Sequence, residues 1–261
     1  MEHKPRPKIY YTLEGLEKAP VIVFSHSLAS SSVMWEPQAH YFQKEYRILR
    51  FDTRGQGRSE VPPGPYTFEV LAEDVLDLLD RLQIDKVHFI GLSMGGMIGQ
   101  SLAFHHPDRL LSLTLSNTSV WTDPSTVSVW ETRIRQVRSE GLKILLNSTM
   151  QRWFTDSFRA KRPPIYEAIE QQFLATPVEG YVGCVQAIMK LDNRDKLGTI
   201  RTPTLVLTGS DDSGSPVPVA EEIHQQIKGS KFFVIPGARH LSNAEFPDEW
   251  NRLVENFLRN L

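Results

Sequence analysis

The chain has 261 residues, 40% hydrophobic and 23% charged, a composition that suits a soluble globular protein. Its 29 basic and 31 acidic residues give a net charge of −2, which excludes strong electrostatic attraction to nucleic acid or an anionic membrane. The single cysteine, Cys184, excludes an intramolecular disulfide or a cysteine metal cluster and suits a reducing compartment.

Taken in chain order, the start MEHKPRPKIYYTLEG carries basic residues with no apolar stretch behind them, so it is read as lacking a secretory signal, and the expected location is cytoplasmic. Short apolar runs then recur, each ending abruptly in small or polar residues. Val21–Phe24 runs into SHSLASSS, and Tyr46–Phe51 into DTRGQGRS. Phe68–Leu82 has a helical period, with Leu71, Val75, Leu78 and Leu82 on one face and Thr67 placed as its N-cap. Val87–Ile90 runs into GLSMGG and an apolar helix, and Leu111–Leu115 into SNTS. Thr204–Leu207 runs into TGSDDSGSP, a helix is expected over Val219–Ile227, Lys231–Ile235 runs into PGARH, and Pro247–Leu258 closes the chain as a helix. Buried strands alternating with helices predict an α/β protein with a mostly parallel twisted sheet flanked by helices. Its chemistry then belongs at the carboxyl ends of the strands.

The alternation breaks at residues 121–198, where amphipathic stretches at Val127–Gln136, Leu142–Phe154 and Pro164–Leu174 are joined by aromatics and prolines. That block is too long for one crossover. Residues 1–120 and 199–261 are therefore expected to form the core, with 121–198 an inserted helical lid over the strand ends; the alternative is that the block simply belongs to the helical layer.

Gly91-Leu92-Ser93-Met94-Gly95 fits the nucleophile elbow G-x-S-x-G in its required context, between a strand and a helix. A sharp turn there exposes the Ser93 hydroxyl, and the helix that follows offers the Met94 N–H to an oxyanion. A serine hydroxyl needs a base held by a carboxylate. Of eight histidines, His240 follows the last strand, where the chain order serine, acid, histidine puts the base. His105 and His106 fall at a helix end, His88 inside a strand, His224 on a helix, His40 at the surface and His3 in the tail. Asp211 and Asp212 follow the preceding strand, and the G-x-x-D spacing from Gly209 selects Asp212, leaving Asp211 as a solvated neighbour. Asn117, after the Leu111–Leu115 run, is an uncharged amide and cannot stabilise an imidazolium by charge. Asp52 is read as a turn anchor and His26 as holding the loop after the first strand, whose Leu28 N–H is the expected second oxyanion donor.

These motifs resemble the α/β-hydrolase superfamily. Within it, SHSLASSSVMWEPQ, FDTRGQGRSEVPPGPYT, GLSMGGMIGQ, RWFTDSFR, EGYVGCVQAI and HLSNAEFP are similar to the 3-oxoadipate enol-lactonases of bacterial aromatic degradation, over most of the chain. The departures are His26-Ser27, where many relatives have His-Gly and enol-lactonases often carry Asn for the histidine, and Gln56, where DTRGHG is common. The resemblance implies cofactor-free, metal-free opening of a small ester or lactone by Ser93, His240 and Asp212. It also implies a free substrate carboxylate and hence a cation in the pocket. Of the insertion's arginines at 133, 135, 138, 152, 159 and 162, Arg133 is selected, with Trp153, Trp130 and Trp35 as pocket contacts and Cys184 as packing. Open alternatives are a general carboxylesterase, a carbon–carbon bond hydrolase on the same triad, and a ligand-binding receptor that keeps the fold. The partner expected is a small-molecule substrate, with no nucleic acid or membrane; a homo-oligomer stays open.

Overall fold

Residues 6–261 are described by a computed structural model; His3 and the first residues of the N-terminal stretch lie outside them. The sheet has seven strands: β1 (Tyr11–Gly15), β2 (Val21–Ser25), β3 (Arg47–Phe51), β4 (Val87–Leu92), β5 (Leu110–Ser116), β6 (Thr204–Gly209) and β7 (Lys231–Ile235). Their order is β1-β3-β2-β4-β5-β6-β7, with β1 antiparallel to β3 and every other neighbour parallel. Strands β2, β4 and β6 are buried along their whole length, as expected where helices cover both faces of a parallel sheet.

The helices of the core are α1 (Glu36–Phe42), α2 (Phe68–Arg81), α3 (Met94–His105), α9 (Val217–Gln226), α10 (Ser242–Glu245) and α11 (Pro247–Leu258). Strand alternation divides the apolar residues between two clusters. Val23, Leu49 and Phe89 pack with Leu71 and Val75 of α2 and Ile98 of α3. Their chain neighbours Ile22, Ile48 and Ile90 join a cluster containing Trp35, Trp250 and Leu253. Thr67 caps α2, its hydroxyl accepting from the Val70 N–H at 3.3 Å. Strand β4 continues through Gly91 and Leu92, beyond the expected Ile90, so extended backbone runs right up to Ser93.

Between β5 and β6 lie α4 (Val127–Glu140), α5 (Leu146–Trp153), α6 (Asp156–Lys161), α7 (Pro164–Ala175) and α8 (Val178–Ile188). The expected Leu142–Phe154 helix divides into a 3-10 turn, Leu142–Leu145, and α5. The two ends of this segment meet, Asn193 N–H donating to the Val120 carbonyl (2.7 Å) and Thr122 N–H to that of Leu191 (2.9 Å). Helix α8 lies backbone to backbone on the loop after β3: a Cβ added at Gly180 would stand 1.8 Å from the Gly55 carbonyl oxygen. Only glycine allows that approach.

Candidate active site

Ser93 joins β4 to α3 with φ 57° and ψ −118°, a conformation that costs a non-glycine residue about 1–3 kcal/mol. Its backbone is held on both sides. The Ser93 N–H donates to Ser116 O at 2.9 Å, and its carbonyl accepts from the Gly96 N–H (2.9 Å) and the Thr118 hydroxyl (2.7 Å). A Cβ at Gly91 would lie 2.2 Å from Gly95 O, and one at Gly95 would lie 2.1 Å from Ser25 O. The glycine spacing is thus a steric requirement of the turn. Met94 opens α3, so its N–H has no carbonyl one turn earlier to bind and is available to an anion.

The loop after β2 is fixed by buried polar groups. His26 donates from Nδ1 to the Ser27 carbonyl (2.7 Å) and accepts the Thr53 N–H at Nε2 (2.9 Å). Burial pushes its pKa below the usual imidazole value, which keeps the ring neutral, as that pairing requires. The Ala29 N–H donates to Gln56 Oε1 at 2.9 Å, with Ala29 at φ 56°. Leu28, between these anchors, is half-buried and lines the same cavity as Ser93. Asp52 accepts from the backbone N–H groups of Ser32 (2.7 Å) and Arg58 (2.9 Å), tying this loop to the one after β3.

Asp212 and His240 meet in the loops after β6 and β7, and His240 lines the same cavity as Ser93. His240 Nδ1 donates to Asp212 Oδ2 at 2.8 Å, which leaves Nε2 for the cavity side. The same Oδ2 accepts from Asn117 Nδ2 (2.9 Å), and Oδ1 accepts the N–H groups of Gly214 (2.8 Å) and Ser215 (3.1 Å). Burial raises the Asp212 pKa, but the His240 charge and these hydrogen bonds outweigh it, and the carboxyl stays below its ordinary value. Asp211 is exposed and accepts only from the Ser210 hydroxyl at 2.7 Å. Asn117 is the participant that sequence reasoning missed: its Oδ1 accepts from Ser242 (2.6 Å) and Ser116 (3.0 Å), which aims its amide nitrogen at Asp212. The remaining described histidines lie away from the cavity; His88, for example, bonds Ser112 Oγ at 2.9 Å inside the sheet.

Ser93, Leu28 and His240 open into a cavity of about 380 Å³ that is also lined by Trp130, Arg133, Arg152, Trp153 and Tyr181 from the helices between β5 and β6. Arg133 stacks over the Trp130 ring at 4.9 Å from Cζ to the centroid, the geometry of an i, i+3 pair on α4. Arg152 was not singled out from the sequence, where it looks like the insertion's other arginines; only the packing of α5 turns it inward. Trp35 is a correction. It does not reach the cavity wall but is fully buried, stacked on Phe24 at 4.8 Å and packed against Trp250 at 5.5 Å. The turn after β2 directs it under the sheet, because a ring of that size gains most by complete burial. Cys184 is buried in α8 with its thiol pushed up to about 12, and takes no part in the cavity wall. Among the described residues no cluster of histidine, cysteine and carboxylate side chains could hold a metal ion, and no helix is long and apolar enough to cross a membrane.

The family model of the alpha/beta hydrolase fold matches residues 20–247. The chain is 38% identical over 251 residues to 3-oxoadipate enol-lactonase 1 of Acinetobacter baylyi, covering 95% of this chain and 92% of that protein. The crystal structure of the enol-lactonase from Burkholderia xenovorans superposes with a TM-score of 0.93 at 38% identity, covering 97% of each chain. A thermophilic esterase from Thermogutta terrifontis, solved with malate bound, has a TM-score of 0.91 at 31% identity, over 97% of this chain and 94% of that one.

Proposed function

The chain belongs to the α/β-hydrolase family, and from that premise we propose that it hydrolyses a small carboxylated lactone, 3-oxoadipate enol-lactone, with Ser93, His240 and Asp212 as its catalytic triad. The observation that carries this reading is one cavity lined by the elbow serine, by His240 and by an arginine stacked on tryptophan. A neutral ester has no use for that cation, whereas a carboxylated ring does. The relatives named as enol-lactonases support the same substrate.

In the proposed reaction Ser93 Oγ attacks the lactone carbonyl carbon as its proton passes to His240 Nε2. Asp212 holds the imidazole by Nδ1 and stabilises its positive charge. The oxyanion is received by the N–H groups of Leu28 and Met94, each contributing about 3 kcal/mol. When the ring C–O bond breaks, His240 returns its proton to the departing enol oxygen. It then takes a proton from water, which attacks the acyl-enzyme and releases a carboxylic acid with Ser93 restored. The segment 121–198 acts as a cap that supplies the carboxylate-binding wall and excludes bulk water. No cofactor enters this scheme.

The test compares 3-oxoadipate enol-lactone with neutral aryl acetates on one preparation. The lactone is expected to be preferred by roughly 100-fold or more in kcat/KM, and Ser93→Ala to abolish turnover of both. Equal turnover of lactone and neutral esters replaces this reading with a general carboxylesterase; the 31% identical thermophilic relative is named an esterase.

A further inference from the structure

The cavity wall carries more positive charge than one carboxylate needs. Arg133 of α4 and Arg152 of α5 line the catalytic cavity, and both also line a second cavity of about 510 Å³ that adjoins it. Among the described residues, no carboxylate lies within 4.0 Å of either guanidinium. Other charges nearby are already engaged. Asp212 is taken up by His240, Asn117 and two backbone N–H groups. Arg239, also on the second cavity, is held by the carbonyls of Gln151 and Phe154 (both 2.8 Å) and by Asp156 (3.0 Å). Two carboxylates face the cavities: Asp123 at the rim of the first, accepting the Ser125 N–H, and exposed Asp211 on the second. Burial is the main cause of a lowered Arg152 pKa, and the neighbouring Arg133 charge adds to it, outweighing the smaller opposing influence of Tyr181 and Asp212.

Two guanidiniums that repel one another across a partly desolvated wall are costly to the folded chain unless anions neutralise them. One carboxylate matches one arginine and leaves the second uncompensated. We infer that Arg133 and Arg152 together form a two-cation site for a dianion, so that the cavity takes short dicarboxylates, including the ring-opened product, in preference to monoanions of the same length. The identity of the product rests on the proposed function, since opening a lactone that carries one carboxylate creates a second; the two-cation site itself rests on the arginines. Charge-assisted, bidentate pairing to each guanidinium supplies the discrimination. The consequence for turnover is product inhibition: the second carboxylate forms at Ser93, and the released diacid turns to place it against the guanidinium left free.

The experiment measures competitive inhibition of neutral aryl acetate hydrolysis by adipate and by its monoamide, two chains of equal length that differ by one charge. The quantity read is the ratio of the two inhibition constants within one preparation, so a variant's own turnover cancels. The wild-type protein is expected to bind adipate at least about tenfold more tightly. Arg152→Gln should reduce that preference to about threefold or less, and Arg152→Lys, which keeps the charge but loses the fork, should leave an intermediate value. If Arg152→Gln does not fold, Arg152→Lys alone must lower the preference at least about twofold. Equal binding of adipate and monoamide by the wild type overturns the inference, as does a preference that survives loss of Arg152. Slow hydrolysis of 3-oxoadipate enol-lactone is a separate result obtained without a diacid, and it counts against the proposed function alone.

Discussion

Replacing Asp212 with asparagine tests the triad most directly, because the four donors around the carboxylate leave an amide no comfortable orientation. Oδ2 receives His240 Nδ1 (2.8 Å) and Asn117 Nδ2 (2.9 Å), while Oδ1 receives the N–H groups of Gly214 (2.8 Å) and Ser215 (3.1 Å). An asparagine with its nitrogen toward Gly214 and Ser215 sets three donors against one another and loses two hydrogen bonds, at about 1 kcal/mol each. With its nitrogen toward His240, the ring must give up its Nδ1 proton, so Nε2 carries the proton and can no longer accept one from Ser93. Either way the chain still folds, since a loss of about 2–3 kcal/mol is smaller than the stability of a typical domain, about 5–15 kcal/mol. The expected result is a fall in kcat of roughly 10³–10⁴-fold with little change in KM. Aryl acetate turnover and urea unfolding, measured side by side, separate the two effects. Asp211→Asn, which removes only an exposed acceptor for Ser210, should alter kcat less than about threefold. A folded Asp212→Asn protein that keeps more than a tenth of wild-type kcat, or equal losses for the two variants, refutes the assignment of the acid.

Arg133→Ala should lower kcat/KM for the carboxylated lactone by roughly 10–100-fold while sparing a neutral ester of similar size; equal losses on both substrates would remove Arg133 from carboxylate recognition. Gly180→Ala drives a methyl group to 1.8 Å from the Gly55 carbonyl and should destabilise the protein by about 1–3 kcal/mol or more, read as a lower urea midpoint; an unchanged midpoint would mean that α8 does not need this contact. Stability should also fall with pH. Burial depresses the His88 pKa to about 4 in the folded chain, against ~6.5 unfolded, so the unfolded state binds more protons between those values and is favoured as pH drops through that window. His26, lowered for the same reason, acts in the same direction. Allowing for partial solvent screening, the His88 share is no more than about 2–3 kcal/mol. His88→Gln should flatten the dependence measured by urea unfolding at pH 7 and 4.5, and an equally steep loss in the variant would locate the effect elsewhere.

What could be read from the sequence depended on how local the determining physics was. Strands β2, β4 and β6 are apolar because both their faces are covered, and the Ser93 turn is specified by glycines within a few residues of it. Strand β1, YTLEG, went unread because it is an edge strand with neither a continuous apolar run nor burial at its ends. Its antiparallel partnership with β3 is a tertiary fact. His240 and Asp212 were legible from their positions after β7 and β6, whereas Asn117 was seen only as a residue without charge. Its value lies in a donor aimed by two serines, the adjacent Ser116 on β5 and the distant Ser242 on α10. The tryptophans show the same limit. Trp130 and Trp153 reach the cavity and Trp35 does not, because helix packing decides which way each ring turns. Gly180 and Gly183 did carry a usable signal: two glycines three apart in a helix cost about 2 kcal/mol of helix propensity, which points to a close neighbour without saying which.

Asn117 follows β5 and lies one hydrogen bond from Asp212, and Asp212 is one hydrogen bond from His240. A carboxylate at position 117 therefore stands within two such lengths of the imidazole, on a different strand. This makes the acid transferable during divergence. Asn117→Asp, arising while Asp212 is still present, places two carboxyl groups in contact, and one of them takes up a proton while the other continues to serve His240. Later loss of Asp212 leaves the newcomer in charge. A lineage with this architecture has a route by which its acid moves from the end of one strand to the end of its neighbour in two substitutions.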